Sequence, residues 1–125
     1  MIRRVSRMCL VALAVALTLG ACGGGGGTPA AKTLSVEAID FGFAPNAFTA
    51  KVGEDITFSI SNKGALEHNF VVFDPSGAEV GRTSIAIGAT GSLTVKPSVA
   101  GAYSVVCDIA GHKEAGMVAT LTVSP

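Results

Sequence analysis

Apolar and polar residues alternate along much of the sequence from Thr33 to Pro125, and no helical period of useful length interrupts them. The segment from Ile56 to Ser61 alternates strictly, as expected of a β-strand with one buried face. In Tyr103–Cys107 and Met117–Val123 the odd-numbered residues are all apolar and would share one face. Turn-forming stretches rich in Gly, Pro, Asn and Asp separate these segments. Short strands between polar turns predict an all-β domain, an antiparallel sandwich or barrel, in which residues 78–90 fit either an edge strand or a loop.

The N-terminus has the composition of an export signal. Three arginines precede the apolar stretch Cys9–Leu19, which is too short to span a ~30 Å hydrocarbon core comfortably. Small residues then precede Cys22, and the five glycines Gly23–Gly27 follow it. This arrangement resembles a bacterial lipobox, in which the cysteine is lipidated and becomes the new N-terminus. A plain secretory signal with a chance cysteine is the alternative.

These features divide the chain into three parts. We predict a signal peptide at residues 1–21, a lipidated cysteine with a glycine-rich tether at 22–32, and a single domain at 33–125. The protein would then be exported and anchored by lipid on the extracytoplasmic side of a bacterial membrane, in the periplasm or at the cell surface.

Charge and cysteine content narrow the function classes. The chain has nine basic and nine acidic residues, and loss of the three signal arginines would leave a mildly acidic domain. Nucleic-acid binding requires a basic surface, so we exclude that class. Cys9 would leave with the signal and Cys22 would carry lipid, so Cys107 is the one thiol of the predicted domain. Without a disulfide, the domain depends on its hydrophobic core or on a metal.

The predicted domain contains four side chains that bind soft metals: His68, Cys107, His112 and Met117. Three of them follow the pattern Cys-x4-His-x4-Met at a junction between two predicted strands. Cys107 ends one strand and Met117 begins the next, both facing inward, and the loop between them can place His112 over the gap. His68, from an adjacent strand, would complete a plane of two imidazoles and one thiolate, with the thioether at longer range. That is the ligand set of a blue-copper site, although each residue taken alone is more often a metal-free core or surface residue.

These residues and the motifs around them resemble the cupredoxin family, the small blue copper proteins. The resemblance covers nearly all of residues 33–125. It implies a Greek-key β-sandwich and one copper ion that alternates between Cu(I) and Cu(II), with His68, Cys107 and His112 as equatorial ligands and Met117 as the axial ligand. Its most specific matches are Gly111-His112 and Gly116-Met117 after Cys107, and weaker ones are Phe43-Ala44-Pro45, Val52-Gly53, Asn62-Lys63-Gly64 and Gly101-Ala102-Tyr103.

The resemblance also implies roles for three residues beside the ligands. The carbonyl of Glu67 would lie on the axial side opposite Met117. Asn69 is expected to tie the two ligand loops together and to hydrogen-bond near the Cys107 sulfur. Many relatives carry proline where this chain has Ala110. Because proline lacks an N–H group, we expect the Ala110 N–H to reach the Cys107 sulfur.

The predicted ligand set leaves no open coordination position, whereas catalytic metal sites keep one. We therefore predict a one-electron carrier and not an enzyme. It would meet transient redox protein partners at an exposed edge of His112, among Ala110, Ala115 and Phe43–Pro45. Two alternatives stay open: a copper-binding or copper-delivery lipoprotein that carries no electrons, and a metal-free sandwich module. A thiol enzyme built on Cys107 is a weaker alternative because it leaves Met117 without a role.

Overall fold

The computed structural model describes residues 31–125, so the predicted signal peptide, Cys22 and most of the predicted tether lie outside the described residues. Within this range no helix is long and apolar enough to cross a membrane. The regular structure consists of nine β-strands: β1 (Lys32–Ile39), β2 (Gly42–Ala44), β3 (Ala47–Lys51), β4 (Ile56–Asn62), β5 (His68–Phe73), β6 (Glu79–Ile85), β7 (Thr90–Val95), β8 (Gly101–Val106) and β9 (Val118–Ser124).

The strands form two sheets that enclose one core. The four-stranded sheet has the order β2-β1-β4-β7, and the five-stranded sheet has the order β3-β9-β8-β5-β6. The predicted all-β sandwich is confirmed. The expected antiparallel arrangement holds for most strand pairs but not for all of them, because β1 lies parallel to β4 and β3 lies parallel to β9. The alternation of apolar and polar residues determines which face of a strand is buried. It is the same in parallel and antiparallel strands, so it could not predict the direction of pairing.

The core is built from alternate residues of these strands. In β4 the side chains of Ile56, Phe58 and Ile60 are buried, and the polar residues between them are half-buried. In β9 the buried residues are the odd-numbered ones that the sequence pattern placed on one face. The predicted strands at 56–61, 103–107 and 117–123 therefore agree with β4, β8 and β9 to within one residue at most termini.

Four phenylalanine rings pack together at the centre of the core. The ring of Phe58 lies between those of Phe48 and Phe70, with centroid separations of 5.3 and 4.9 Å. The Phe70 ring also meets Phe43 edge-on at 5.1 Å. Such inclined ring pairs are favourable beyond the apolar area that they bury. This cluster connects β2, β3, β4 and β5, and so joins the two sheets.

Residues 78–90 include β6, a seven-residue strand at the edge of the five-stranded sheet. Two glycines bring β6 close to β7 of the other sheet. A Cβ atom at Gly81 would come within 3.1 Å of Leu93 and Val95, and one at Gly91 would come within 2.9 Å of Ile85. Strand β6 therefore closes one side of the sandwich and is not a loop.

The strand order places the predicted ligands at one end of the sandwich. Strand β5 begins at His68, β8 ends just before Cys107, and β9 begins just after Met117. Strand β8 is antiparallel to both β5 and β9, so the start of β5, the end of β8 and the start of β9 meet at one edge of the sheet.

Candidate metal site

Three of the four predicted ligands converge. One ligand atom from each of His68, Cys107 and His112 lies within 4.8 Å of the other two. The Nδ1 atoms of the two histidines are 3.3 Å apart, and Cys107 Sγ lies 3.4 Å from His112 Nδ1. The side chains of His68 and Cys107 are 0% exposed, and that of His112 is 7% exposed. His112, which was expected to expose an edge, is therefore a buried residue.

Met117 is fully buried, and its backbone closes the loop that carries the other ligands. The Cys107 N–H donates to Met117 O at 3.1 Å, and the Met117 N–H donates to His112 O at 3.0 Å. A further bond within the loop joins the Ala115 N–H to Gly111 O at 3.1 Å. These bonds fix residues 107–117 as a compact loop. The role of the Met117 thioether as a fourth ligand stays a prediction.

Asn69 lies beside the Cys107 sulfur and joins two loops. Its backbone N–H donates to Cys107 Sγ at 3.3 Å, and its side-chain Nδ2 donates to Asp108 Oδ1 at 2.7 Å. Ser84 Oγ donates to Asn69 Oδ1 at 2.8 Å, and an Arg82 nitrogen lies 3.1 Å from Asp108 Oδ2. This hydrogen-bonded chain extends from β6 to the residue after the thiol. Sequence reasoning did not identify Ser84, Arg82 or Asp108, because only strand pairing brings β6 to this position.

The ionisation of two groups near the site reflects their surroundings. Burial, with the neighbouring His112 as a second cause, lowers the pKa of His68 below its ordinary value. A lowered pKa favours the neutral imidazole, which is the form that binds a metal. The hydrogen bond from Asn69, aided by the charge of Arg82, lowers the pKa of the Asp108 carboxyl.

The hydrogen bond expected from Ala110 is not formed. Among the described residues, the groups that hydrogen-bond the Cys107 sulfur are the Asn69 N–H and the His112 ring. The His112 N–H donates to Ile109 O at 3.0 Å, so Ala110 occupies the second position of a turn. The bond that closes such a turn uses the Ile109 carbonyl and the His112 N–H, and the Ala110 N–H takes no part in it.

The aromatic neighbour of His112 is Phe41, which sequence reasoning missed. The two rings meet edge-on, with centroids 5.3 Å apart and planes inclined at 81°, and Phe41 is 44% exposed. Phe43–Pro45 were expected here, but the Phe43 side chain is buried in the core. Phe41 lies in the turn between β1 and β2 with a φ of 65°, outside the alternation that directs Phe43 inward.

Two further residues lie near His68. Asp40, the neighbour of Phe41 in the same turn, places Oδ1 3.4 Å from His68 Nε2. Nothing in the alternation pattern distinguishes this aspartate from other turn residues. The side chain of Glu67 is exposed, and the expected axial position of its carbonyl stays a prediction.

The donor types fit a soft transition metal. Imidazole nitrogen and thiolate sulfur suit copper or zinc, whereas calcium and magnesium require several oxygen ligands. A family model described as the cupredoxin-like domain matches residues 9–123. The chain belongs to the cupredoxin family. The buried histidines, the thiol and the loop that joins them therefore lie in a cupredoxin framework.

Individual cupredoxins are similar to most of the chain. The copper-resistant cuproprotein CopI of Rubrivivax gelatinosus is 32% identical over 97 residues, which cover 65% of this chain and 59% of CopI. The chloroplastic plastocyanin of Oryza sativa subsp. indica is 38% identical over 122 residues, which cover 90% of this chain and 75% of that protein. The match thus spans less than two thirds of the length of CopI.

A solved structure has the same fold. Auracyanin B aligns with a TM-score of 0.70 at 23% identity, over 79% of this chain and 92% of auracyanin B. This likeness supports the cupredoxin-type sandwich that the sequence predicts.

Proposed function

We propose that this cupredoxin is a one-electron carrier that holds a single copper ion between His68, Cys107 and His112, with Met117 as a more distant axial ligand. The observation that supports this most is the convergence of two imidazole nitrogens and one thiol within 4.8 Å at a buried position. Bound copper supplies the chemistry by accepting and releasing one electron between Cu(II) and Cu(I).

The protein residues would keep the ligand positions constant during this change. His68 is fixed by β5, and the hydrogen bonds of residues 107–117 hold Cys107, His112 and Met117 to one another. A site that is already assembled rearranges little between oxidation states. The Asn69 N–H donates to the sulfur, which stabilises a thiolate there.

Electrons would pass through His112 and its contact with Phe41. Three large apolar side chains near this end of the sandwich, those of Ile39, Phe41 and Leu66, are each 42–44% exposed. A small exposed apolar surface would suit the brief, small-area docking of redox partners. The partners we propose are extracytoplasmic redox proteins.

We also infer that the chain is exported and lipid-anchored, with a signal at residues 1–21, a tether at 22–32 and the domain at 33–125. The lipobox-like sequence before Cys22 supports this. The mass of the mature N-terminus tests it, since a diacylglycerol-modified Cys22 is heavier than the unmodified residue. The Cys22→Ser variant should lose this modification, and a parent chain whose mature N-terminus is not Cys22 or carries no lipid would contradict the proposal.

Copper delivery is the second candidate, and the similarity to the copper-resistant cuproprotein CopI favours it. A delivery protein would use the same four ligands without exchanging electrons. The two functions differ in whether bound copper cycles rapidly between its oxidation states or moves to an acceptor protein.

A copper titration of the Cys22→Ser chain, reduced beforehand, tests the proposal. We expect an intense visible band from thiolate-to-Cu(II) charge transfer that saturates at one copper per chain and is absent in Cys107→Ser. Ascorbate should bleach the band and ferricyanide should restore it. A colourless protein that binds Cu(I) and passes it to an apo-acceptor would support delivery, and a protein that binds neither ion would refute both functions.

A further inference from the structure

The ring of His68 has two different environments at its two nitrogens. Its Nδ1 atom faces His112 Nδ1 and therefore the candidate metal position. On the other side, His68 Nε2 is the one buried side-chain nitrogen or oxygen among the described residues that lacks a hydrogen-bond partner. Burying a polar group without a hydrogen-bond partner costs free energy, so the missing partner of this nitrogen requires an explanation.

The neighbour of this nitrogen is a carboxylate from another part of the chain. Asp40 Oδ1 lies 3.4 Å from His68 Nε2. The Ala65 N–H donates to both Asp40 oxygens, at 3.0 and 3.2 Å. Asp40 follows β1 and Ala65 precedes β5, so this contact fixes the carboxylate against the segment that leads into His68.

The space between the carboxylate and the imidazole depends on a glycine. A Cβ atom at Gly64 would collide with Asp40 Oδ1 and come within 2.9 Å of His68 Nε2. Gly64 thus leaves open the volume through which the two side chains face each other. The Asp40 side chain is 39% exposed, so a small rotation can bring Oδ1 to the ~2.8 Å of a charge-assisted hydrogen bond.

We propose that Asp40 is a positioning residue for the copper ligand His68. Its carboxylate accepts the His68 Nε2–H, which fixes the tautomer whose lone pair is on Nδ1 and directs that lone pair to the metal. The carboxylate also makes the imidazole a stronger donor and therefore favours Cu(II) over Cu(I). This inference rests on the copper site proposed above. The competing explanation is that Asp40 only caps the Ala65 N–H.

The first test needs no copper. Nitrogen-15 NMR of the metal-free Cys22→Ser chain reports which nitrogen of His68 carries the proton. We expect the Nε2–H tautomer in the parent chain and a large Nδ1–H population after the further change Asp40→Ala. Asp55→Ala is the matched control. Asp55 is also an exposed aspartate, but it directly precedes β4 and pairs with Lys96 instead of a histidine. An unchanged tautomer in Asp40→Ala would overturn the proposal.

The second test measures copper binding and reduction potential. Loss of the carboxylate partner of a metal-bound histidine typically weakens metal affinity 10–100-fold, and we expect this for Cu(II) in Asp40→Ala. A tenfold greater loss for Cu(II) than for Cu(I) corresponds to a rise in potential of about 59 mV. Asp40→Asn keeps an accepting oxygen but loses the charge, so it should keep the tautomer and still raise the potential.

The outcomes distinguish failure of this inference from failure of the proposed function. If the parent chain binds copper and both Asp40 variants match it in affinity and potential, Asp40 only caps the loop. If the parent chain binds no copper, the proposed function fails and takes the metal-directed role of Asp40 with it, while the NMR result still decides whether the contact exists. Dispersed amide spectra verify folding, and Asp40→Asn remains informative if Asp40→Ala does not fold.

Discussion

Replacing Phe70 with alanine tests whether the scaffold is stabilised mainly by its aromatic core. The Phe70 side chain is 0% exposed, and its ring contacts those of Phe43 and Phe58 at 5.1 and 4.9 Å. Removing a buried phenylalanine costs about 3–5 kcal/mol, and two ring pairs are lost here, so we expect a loss of about 4 kcal/mol. That is a large part of the about 5–15 kcal/mol by which such a domain is stable.

The assay is urea unfolding of the metal-free protein, followed by far-ultraviolet circular dichroism. In a companion thermal unfolding experiment, a loss of about 4 kcal/mol should lower the Tm by about 16–32 °C, since each kcal/mol shifts the Tm of a domain this small by about 4–8 °C. The matched control is Phe41→Ala, which removes the same side chain from a position that is 44% exposed.

We expect Phe41→Ala to cost less than about 1 kcal/mol, because little apolar surface leaves the core with it. Equal losses for Phe41→Ala and Phe70→Ala would refute this reasoning. So would a loss below about 1.5 kcal/mol for Phe70→Ala with an unchanged dependence on urea.

Three other predictions concern the contact between β6 and β7, the turn at Asp74 and the metal. Gly91→Ala should cost about 1–3 kcal/mol in urea unfolding, because its Cβ would come within 2.9 Å of Ile85; an unchanged midpoint would contradict this. The Ser76 hydroxyl lowers the pKa of Asp74, so Asp74→Ala should destabilise the protein above the ordinary carboxyl pKa of 3.8, with the difference vanishing as pH falls through the lowered value. A stability difference between the parent chain and Asp74→Ala that grows as pH falls would contradict this prediction. Copper at 100 times its dissociation constant should stabilise the chain by about 2.7 kcal/mol, and differential scanning calorimetry should show no such gain in Cys107→Ser.

Strand positions were largely predictable from the sequence. The alternation of buried and exposed side chains depends only on neighbouring residues of the same strand. The pattern in Ile56–Ser61 determined β4 in this way. The pairing of strands is not local, and this is why the parallel neighbours of β1 and β3 were missed. The edge strand β6 has a weak pattern because four of its seven residues are exposed and one core-facing position is Gly81.

The candidate ligands could be found from the sequence because three of them lie within one short segment and the chain has two histidines. Their supporting residues could not. Phe41 and Asp40 come from a turn between β1 and β2, and Arg82 comes from β6, so the fold alone brings them to the site. The prediction of a hydrogen bond from the Ala110 N–H was wrong for a different reason, because the direction of a backbone N–H group depends on the turn that contains it.

The order of strands in the five-stranded sheet also determines how the ligands can separate. Strands β5, β8 and β9 are its three inner strands, with β3 and β6 outside them. Val71, for example, pairs with Arg82 on one side and Val106 on the other. Edge strands fray locally, whereas inner strands open mainly when the whole domain unfolds, so these amides should show the slowest hydrogen exchange. His68 begins β5, and Cys107 and Met117 directly adjoin β8 and β9. These candidate ligands would therefore stay in place while the edge strands fray, and a bound ion would be kept through such local opening.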